Sequence, residues 1–189
     1  MVNEAWTLND LNDEKWMDMA LELAATALSN GEFPVGCILV SDGGVVGKGA
    51  RSNSRGACAN ELDHAEIAAI RDCIGKTNGF KPANNGRRLD LIAYCTLEPC
   101  LMCLGALILN GVTRIVFAYE DVMGGACLPV SATGALCGFR RGSLYDKADV
   151  EVTCGVKRHE SLALFRAFFS DLSNSYWKDS PLARYTMTV

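Results

Sequence analysis

The chain has 189 residues, of which 49% are hydrophobic and 21% are charged, and its formal net charge is −4. This length suits one domain, residues 1–189, with a substantial core. The acidic balance opposes binding to nucleic acid through a broad basic surface, since such surfaces are rich in Lys and Arg. The apolar runs are too short for a membrane span, and the first residues lack the pattern of a signal peptide. We therefore expect a cytoplasmic protein with no membrane partner.

The first part of the chain predicts a helix and a hairpin. Residues 1–13 are polar and are expected to form a loose lead-in. Apolar residues recur at intervals of three and four over Glu14–Asn30, which predicts an amphipathic helix. Two β-rich segments, Val35–Ser41 and Val45–Lys48, flank the turn sequence Asp42-Gly43-Gly44 and predict a hairpin.

The rest of the chain alternates between helices and strands. Helices are predicted from His64 onward, over 99–110 and over 157–171, and strands over 89–96, 114–119 and 150–154. This order predicts an α/β fold, a three-layer α/β/α sandwich around a central mixed five-stranded sheet. Residues 173–189 are expected to form a C-terminal tail or lid. The glycine-rich segment 121–145 has no clear secondary-structure pattern.

Three residues have the chemistry of a zinc site. Neutral imidazole and thiolate are preferred zinc ligands, and a catalytic site has three protein ligands and leaves the fourth position to water. His64, Cys100 and Cys103 supply three such groups. The two cysteines are three residues apart, so on a helix they lie on one face. Pro99 suits the first turn of that helix, whose N-terminus favours thiolates, and we predict one zinc ion per chain.

Glu66 lies two residues after His64 and is not needed as a ligand. Zinc lowers the pKa of a bound water to roughly 7, and a nearby carboxylate can take a proton from that water and pass it to a leaving group. Glu66 is therefore predicted to be the catalytic acid and base. A purely structural zinc site would need a fourth protein ligand and would leave Glu66 unexplained.

The motifs His64-Ala65-Glu66 and Pro99-Cys100-Leu101-Met102-Cys103 resemble those of the cytidine deaminase-like superfamily. The longer stretch Thr96–Ala106 is similar to bacterial tRNA adenosine deaminases, guanine deaminases and fungal cytosine deaminase. The resemblance extends over about residues 19–169 and is sharp only around the two motifs. It implies a hydrolytic deaminase of nucleobases or nucleosides that uses zinc, and it suggests a homodimer.

The resemblance also implies substrate contacts. Asn53, eleven residues before His64, would contact the base or ribose. The backbone N–H of Ala65 would hold the base, and the backbone carbonyl of Glu98 would receive the leaving amine. The pair Trp177 and Asp179 resembles, without identical spacing, the Trp and acid that cover the site of fungal cytosine deaminase. Asn53 could instead stabilise a turn and Trp177 could pack in a core.

Two departures from the family bear on the substrate. The tRNA adenosine deaminases usually carry Pro-Thr-Ala before the zinc-binding histidine, whereas this chain has Glu61-Leu62-Asp63. The region after Leu128 also lacks the basic or histidine-bearing loop associated with anticodon recognition. Together with the acidic balance, these features favour a free nucleobase or nucleoside over the alternative, adenosine within tRNA. A third interpretation is a non-catalytic zinc-bearing partner subunit, which would be expected to lack Glu66.

Overall fold

A computed structural model describes residues 8–77, 90–127 and 150–189, with side chains from Asn12 onward. The elements are α1 (Leu8–Ser29), β1 (Gly36–Ser41), β2 (Gly44–Ala50), α2 (Ala65–Thr77), β3 (Leu91–Leu97), α3 (Leu101–Leu109), β4 (Val112–Tyr119), β5 (Glu151–Cys154), α4 (Arg158–Ser170) and α5 (Pro181–Thr186). In this described part of the chain, no helix combines the length and the apolar character needed to cross a bilayer.

The five strands form one mixed sheet in the order β2-β1-β3-β4-β5. β1 is antiparallel to β2 and to β3, whereas β3, β4 and β5 are mutually parallel. The helix α3 connects the parallel pair β3 and β4, as a crossover connection requires. The predicted mixed five-stranded sheet is confirmed.

Helices cover both faces of the sheet. Successive strand residues point to opposite faces, so each strand contributes to two cores. On one face, Met17 and Ala20 of α1 pack on strand residues that include Ile38 and Val116. On the other face, α2 and α3 pack on Cys37, Leu39, Ala93 and Ile115, and α4 extends this second core with three apolar residues, Leu162, Phe165 and Phe168. The predicted three-layer arrangement is confirmed.

The structure corrects the start of the first helix. α1 begins at Leu8, so residues 8–13 are helical and not part of a loose lead-in. Asp13 is buried at 3% exposure, and its carboxylate accepts bonds from Arg114 at 2.8 and 2.6 Å and from the Tyr94 hydroxyl at 2.8 Å. Its partners lie about 80 and 100 residues away in the sequence, so the local polarity of this segment did not reveal its burial. Residues 1–7 lie outside the described part.

The hairpin has the predicted turn. Asp42 and Gly43 both have positive φ, 50° and 73°, as the two central residues of a type I′ turn require.

The tail contains a short helix, α5, that was not predicted. Ser180 caps it by accepting a hydrogen bond from the Ala183 amide at 3.0 Å, and Pro181 occupies its first position. Of the glycine-rich segment 121–145, residues 128–145 lie outside the described part.

Candidate active site

The N-terminal end of α2 carries two of the predicted site residues. His64 immediately precedes the helix, and its carbonyl accepts the amide of Ala68 at 3.0 Å. Ala65 and Glu66 form the first turn, and both are buried. The helix lies very close to β2, because Gly47 and Gly49 have no side chain to separate them: a Cβ atom on Gly47 would lie 2.4 Å from the Ala69 carbonyl oxygen. This contact sets the position of His64 relative to the sheet.

The N-terminal end of α3 carries the two cysteines. Cys100 is the N-cap of α3 and Cys103 lies in its first turn. The His64 Nδ1 atom is 3.7 Å from Cys100 Sγ and 3.4 Å from Cys103 Sγ, and the three ligand atoms lie within 4.8 Å of one another. A tetrahedral zinc ion separates nitrogen and sulfur ligands by roughly 3.5 Å. The residues that the sequence assigned to zinc are therefore brought together in a geometry that fits zinc.

The electrostatic environment favours a thiolate at Cys100. A hydrogen bond from the Cys103 thiol and one from His64 lower the pKa of Cys100 to about 4. The N-terminus of α3 contributes in the same direction, because unpaired backbone N–H groups there stabilise negative charge. Zinc binds the deprotonated form of cysteine, so Cys100 already favours the form that a metal needs, whereas the hydrogen bond to Cys100 and burial raise the pKa of Cys103.

Glu66 lies beside the three candidate ligands. The residue is 3% exposed, and its Oε2 atom has no hydrogen-bond partner among the described residues. Burial raises the pKa of Glu66, since a carboxylate is poorly solvated there. A buried carboxyl oxygen without a partner is costly in a folded protein, and such groups are typical of sites that bind a ligand or carry out chemistry.

A cavity of about 470 Å³ opens over these residues. This volume is in the range of small-molecule sites. Its walls are mainly apolar side chains, Phe33, Val35, Leu97, Met102, Met123 and Leu182. His64, Ala65, Glu66, Glu98 and Cys100 also line the cavity. Ala65 and Glu98, to which the family resemblance gave substrate contacts, therefore line the same cavity as His64 and Cys100.

The Glu98 side chain anchors one rim of the cavity. Its carboxylate accepts the backbone amides of Cys127 at 2.9 Å and Asp121 at 3.3 Å. A Cβ atom on Gly125 would lie 2.3 Å from Glu98 Oε2, so the chain after β4 passes directly over this carboxylate. The sequence prediction concerned only the backbone carbonyl of Glu98. The structure adds a second role, because the side chain holds the segment 121–127 in place.

The C-terminal tail contributes two aromatic residues. Tyr176 and Trp177 both line the cavity, and Trp177 remains 42% exposed with φ of 55°. The Tyr176 ring packs edge-on against Phe33 with centroids 5.4 Å apart. Asp179 lies on the exposed surface outside the described cavity lining, and its backbone carbonyl accepts a bond from Arg184 at 2.6 Å. The tail thus brings Trp177 to the site but not Asp179.

Asn53 occupies a loop conformation of its own. It has φ of 53°, and its side-chain amide donates to Asp63 Oδ2 at 2.8 Å. The same Asp63 oxygen accepts a bond from Asn60 at 2.8 Å. Asn53 is not among the described residues that line the cavity. Its predicted contact with a base or ribose therefore stays a prediction.

Three charged residues that line the cavity, Arg51, Glu61 and Asp121, were not assigned to the site from the sequence. Arg51, whose side chain is 2% exposed, and Glu61 form an ion pair at 3.2 Å, and both line the cavity. Arg51 also donates to the carbonyls of Ser52 and Asn60, both at 2.7 Å. No sequence motif marks Arg51 as a site residue, because its partners come from a loop and from the C-terminal tail. Glu61 differs from the family pattern, and this departure was the available signal.

Comparison with known proteins identifies relatives. The family model for the cytidine and deoxycytidylate deaminase zinc-binding region matches residues 11–119. A tRNA-specific adenosine deaminase of Haemophilus influenzae is 43% identical over 115 residues, which cover 60% of this chain and 62% of that protein. A tRNA-specific adenosine deaminase 2 of Xenopus tropicalis is 36% identical over 114 residues, 60% of this chain and 66% of that protein. The chain thus spans slightly less than two thirds of these relatives.

Solved structures show the same fold. A structure from a study of A-to-I editing by tRNA:A34 deaminases aligns with a TM-score of 0.62 and 27% identity, covering 79% of this chain and 98% of that one. A guanine deaminase from Nitrosomonas europaea aligns with a TM-score of 0.61 over 89% of this chain and 96% of that one. At 21% identity, this second match supports the fold alone.

Proposed function

Because the chain belongs to the zinc-binding cytidine and deoxycytidylate deaminase family, we propose that it is a hydrolytic deaminase of a free nucleobase or nucleoside. It replaces an exocyclic amine with a carbonyl group and releases ammonia. The observation that carries the proposal is Glu66, a buried carboxylate with a free oxygen beside three zinc-binding side chains. A site that held zinc only for structure would have no use for this group.

The proposed roles follow from the chemistry of each residue. The zinc ion would be held by His64, Cys100 and Cys103. As a Lewis acid, a bound zinc ion would lower the pKa of water and so supply a stronger nucleophile near neutral pH. Glu66 takes a proton from the attacking water and gives it to a ring nitrogen, and a second transfer protonates the departing amine. The water oxygen stays on the ring carbon and the amine leaves as ammonia. Because burial raises the pKa of Glu66, the carboxyl group can hold the proton between these steps.

The remaining site residues would bind the substrate. We assign the Ala65 amide to the base, the Glu98 carbonyl to the leaving amine, and the Trp177 ring to stacking on the base. Asn53 would exchange its bond to Asp63 for one to the substrate. Asp179 would need a movement of the tail to reach the cavity, since its side chain is exposed.

Two observations support a small substrate. Tyr176 and Trp177 of the tail line a cavity of about 470 Å³, a volume in the range of small-molecule sites. The basic pair Lys157 and Arg158 is already engaged, Lys157 with Asp18 at 3.1 Å and Arg158 with Glu120 at 2.8 Å. This pair therefore offers little free charge to a phosphate backbone. The pairs at 87–88 and 140–141 lie outside the described residues.

Adenosine within tRNA is the second candidate substrate. The two curated relatives described above support this substrate, since both are named for that activity. Over the aligned residues they are 36% and 43% identical to this chain. Those alignments cover 60% of this chain, so they do not include all of it. The two candidates predict different results with free bases and with RNA.

The test is ammonia release by the zinc-loaded protein with cytosine, guanine, adenine, their nucleosides and an anticodon stem-loop that contains adenosine. We expect turnover of at least one free base or nucleoside. Turnover confined to the stem-loop would overturn the proposed substrate class and support the second candidate. No turnover with any member of the panel would overturn the enzyme assignment in favour of a non-catalytic zinc-bearing subunit.

The control is Glu66→Gln, which keeps the shape of the side chain but not its ability to accept a proton. We expect unchanged zinc content and a loss of turnover of about 10²-fold or more. Turnover close to that of the wild type would contradict the role of Glu66.

We also propose a homodimer. Apolar side chains remain exposed on α3 and on the segment that follows β4, among them Leu101 at 58% and Leu109 at 57% exposure. Such a surface is typical of a protein interface. Gel filtration with light scattering would contradict this proposal if it gave only a monomer at working concentration.

The cytoplasmic location is supported by the eight cysteines of the described residues, all free thiols, as reducing compartments favour.

A further inference from the structure

One carboxylate oxygen connects the candidate zinc site to the C-terminal tail. Glu61 Oε2 lies 3.2 Å from Arg51 Nη2 and accepts a hydrogen bond from the Tyr176 hydroxyl at 2.8 Å. The same atom lies 3.8 Å from His64 Nε2. We propose that Glu61 is a positioning residue that links His64 to the tail, so that docking of Tyr176 and Trp177 holds the imidazole in its zinc-binding orientation.

The orientation of His64 is the first step of the argument. Its Nδ1 atom faces the two cysteines, which leaves Nε2 directed toward Glu61. An imidazole that binds a metal through one nitrogen carries its proton on the other, and a nearby carboxylate favours that tautomer and fixes the ring. The distance of 3.8 Å is longer than a hydrogen bond, so Glu61 acts here by electrostatic attraction.

The second step is the attachment of the tail. The Tyr176 hydroxyl bonds Glu61, its amide donates to Asn174 Oδ1 at 3.0 Å, and its ring packs on Trp177 with centroids 5.8 Å apart. Trp177 has a left-handed backbone conformation, which a residue with a side chain adopts only when its surroundings hold it there. The tail is therefore docked in a defined conformation, and next to the cavity its Tyr176 hydroxyl contacts both Glu61 and Arg51.

The third step is the buried cation between them. The Arg51 guanidinium, 2% exposed, contacts Glu61, the Tyr176 hydroxyl at 3.3 Å and the Asn60 carbonyl. With the tail docked, the Glu61 side chain is still 58% exposed, so the tail acts through the Tyr176 hydroxyl bond and not by covering the carboxylate. That bond and the ion pair with Arg51 fix the Glu61 oxygen beside His64 Nε2. The simpler alternative is that Glu61 only balances the charge of Arg51 and has no effect on zinc.

The experiment measures the rate of zinc release. This measurement needs no substrate, so it can contradict the role of Glu61 without bearing on the proposed deaminase activity. Zinc-loaded protein is mixed with an excess of a coloured chelator, and the rate of zinc transfer is followed by absorbance. The variants are Glu61→Gln and Tyr176→Phe, singly and together. The matched control is Tyr185→Phe, which removes another tail hydroxyl bonded to a carboxylate, that of Glu120 at 2.6 Å. Neither Tyr185 nor Glu120 is among the described residues that line the cavity.

We expect Glu61→Gln and Tyr176→Phe each to speed zinc release, by about tenfold for Glu61→Gln, as for other residues that orient metal ligands. The double variant should release zinc no faster than the faster single variant, because both changes break one linkage. Tyr185→Phe should match the wild type. Trypsin cleavage after the exposed Lys178 provides a second measurement, and we expect it to accelerate in Tyr176→Phe.

A clear result would overturn the proposal. If Tyr176→Phe speeds cleavage at Lys178 but leaves zinc release unchanged, the tail and the zinc site are independent and Glu61 serves only Arg51. Unchanged zinc release in Glu61→Gln would lead to the same conclusion. Tyr176→Phe removes a single hydroxyl, so it keeps the proposal testable even if Glu61→Gln does not fold.

Discussion

Gly49 of β2 lies directly against the backbone of Ala65 in the first turn of α2. A Cβ atom on Gly49 would approach the Ala65 carbonyl oxygen to 2.1 Å and the Ala69 amide nitrogen to 2.4 Å. The strand and the helix therefore touch backbone to backbone at the end of the helix that carries His64 and Glu66. The position of the candidate zinc ligand depends on a residue with no side chain.

Substitution of this glycine should disturb both stability and zinc binding. We expect Gly49→Ala to lower the free energy of unfolding by about 1–3 kcal/mol, as overpacking does, and to weaken zinc retention because α2 must move. Urea unfolding and transfer of zinc to a chelator measure the two effects. The control is Gly75→Ala in the same helix, where a Cβ atom meets no atom within 4 Å. Equal stability of the two variants would contradict this account of the contact.

The buried carboxylate of Asp13 should be essential for stability. Asp13→Asn removes the charge that faces Arg114, whose side chain is only 17% exposed. Arg114 would then face only the exposed carboxylate of Glu151 at 3.3 Å, so we expect a loss of about 3 kcal/mol in the free energy of unfolding. Asp18→Asn is the control, because Asp18 is 55% exposed and pairs with Lys157 on the surface. Its effect should stay within about 1 kcal/mol, and similar losses for the two variants would be evidence against the buried pair.

Removal of zinc should destabilise the wild type, and this effect should require Cys103 as a zinc ligand. A ligand that binds only the folded state stabilises it, so a chelator should lower the melting temperature. We expect Cys103→Ser to melt at a lower temperature than the wild type and to show little further change with chelator. Cys58→Ser, at an exposed cysteine away from the site, should respond to chelator as the wild type does. A chelator response that survives in Cys103→Ser would place the metal elsewhere.

The pair Glu120 and Arg158 should contribute to acid sensitivity. A hydrogen bond from Arg158, with a second from Tyr185, lowers the pKa of Glu120 to about 2 from its ordinary value of 4.5. Because the pKa is lower in the folded state, the pair stabilises the protein above about pH 4.5, and this stabilisation is lost as the pH falls toward 2. We expect Glu120→Gln to be less stable at pH 7 by about 2 kcal/mol and to lose less stability on acidification. Parallel loss in the two proteins, measured by urea unfolding between pH 5 and pH 2, would exclude this contribution.

The order of the elements was predictable because each depends on local pattern. Apolar residues recur at helical spacing in α1 and α4, and the turn at Asp42 and Gly43 needs residues that tolerate positive φ. The helix α5 was missed because six residues carry too little periodicity, although Ser180 and Pro181 are a typical helix start. The start of α1 was misplaced because Asp13 is buried by Arg114 and Tyr94, which lie far away in the sequence.

The sequence alone determined the chemistry of the site, because zinc chemistry needs particular residue types at short spacings, and His64, Glu66, Cys100 and Cys103 lie in two short motifs. Only the tertiary structure decided what surrounds that site. Arg51, Glu61 and Tyr176 meet through contacts between a strand end, a loop and the C-terminal tail, and the separation of Arg51 and Tyr176 by 125 residues carries no periodic signal. Trp177 lines the cavity, whereas Asp179 is exposed and is not among the described residues that line it. The positions of these residues follow from the packing of the whole chain, so they cannot be predicted from local sequence patterns.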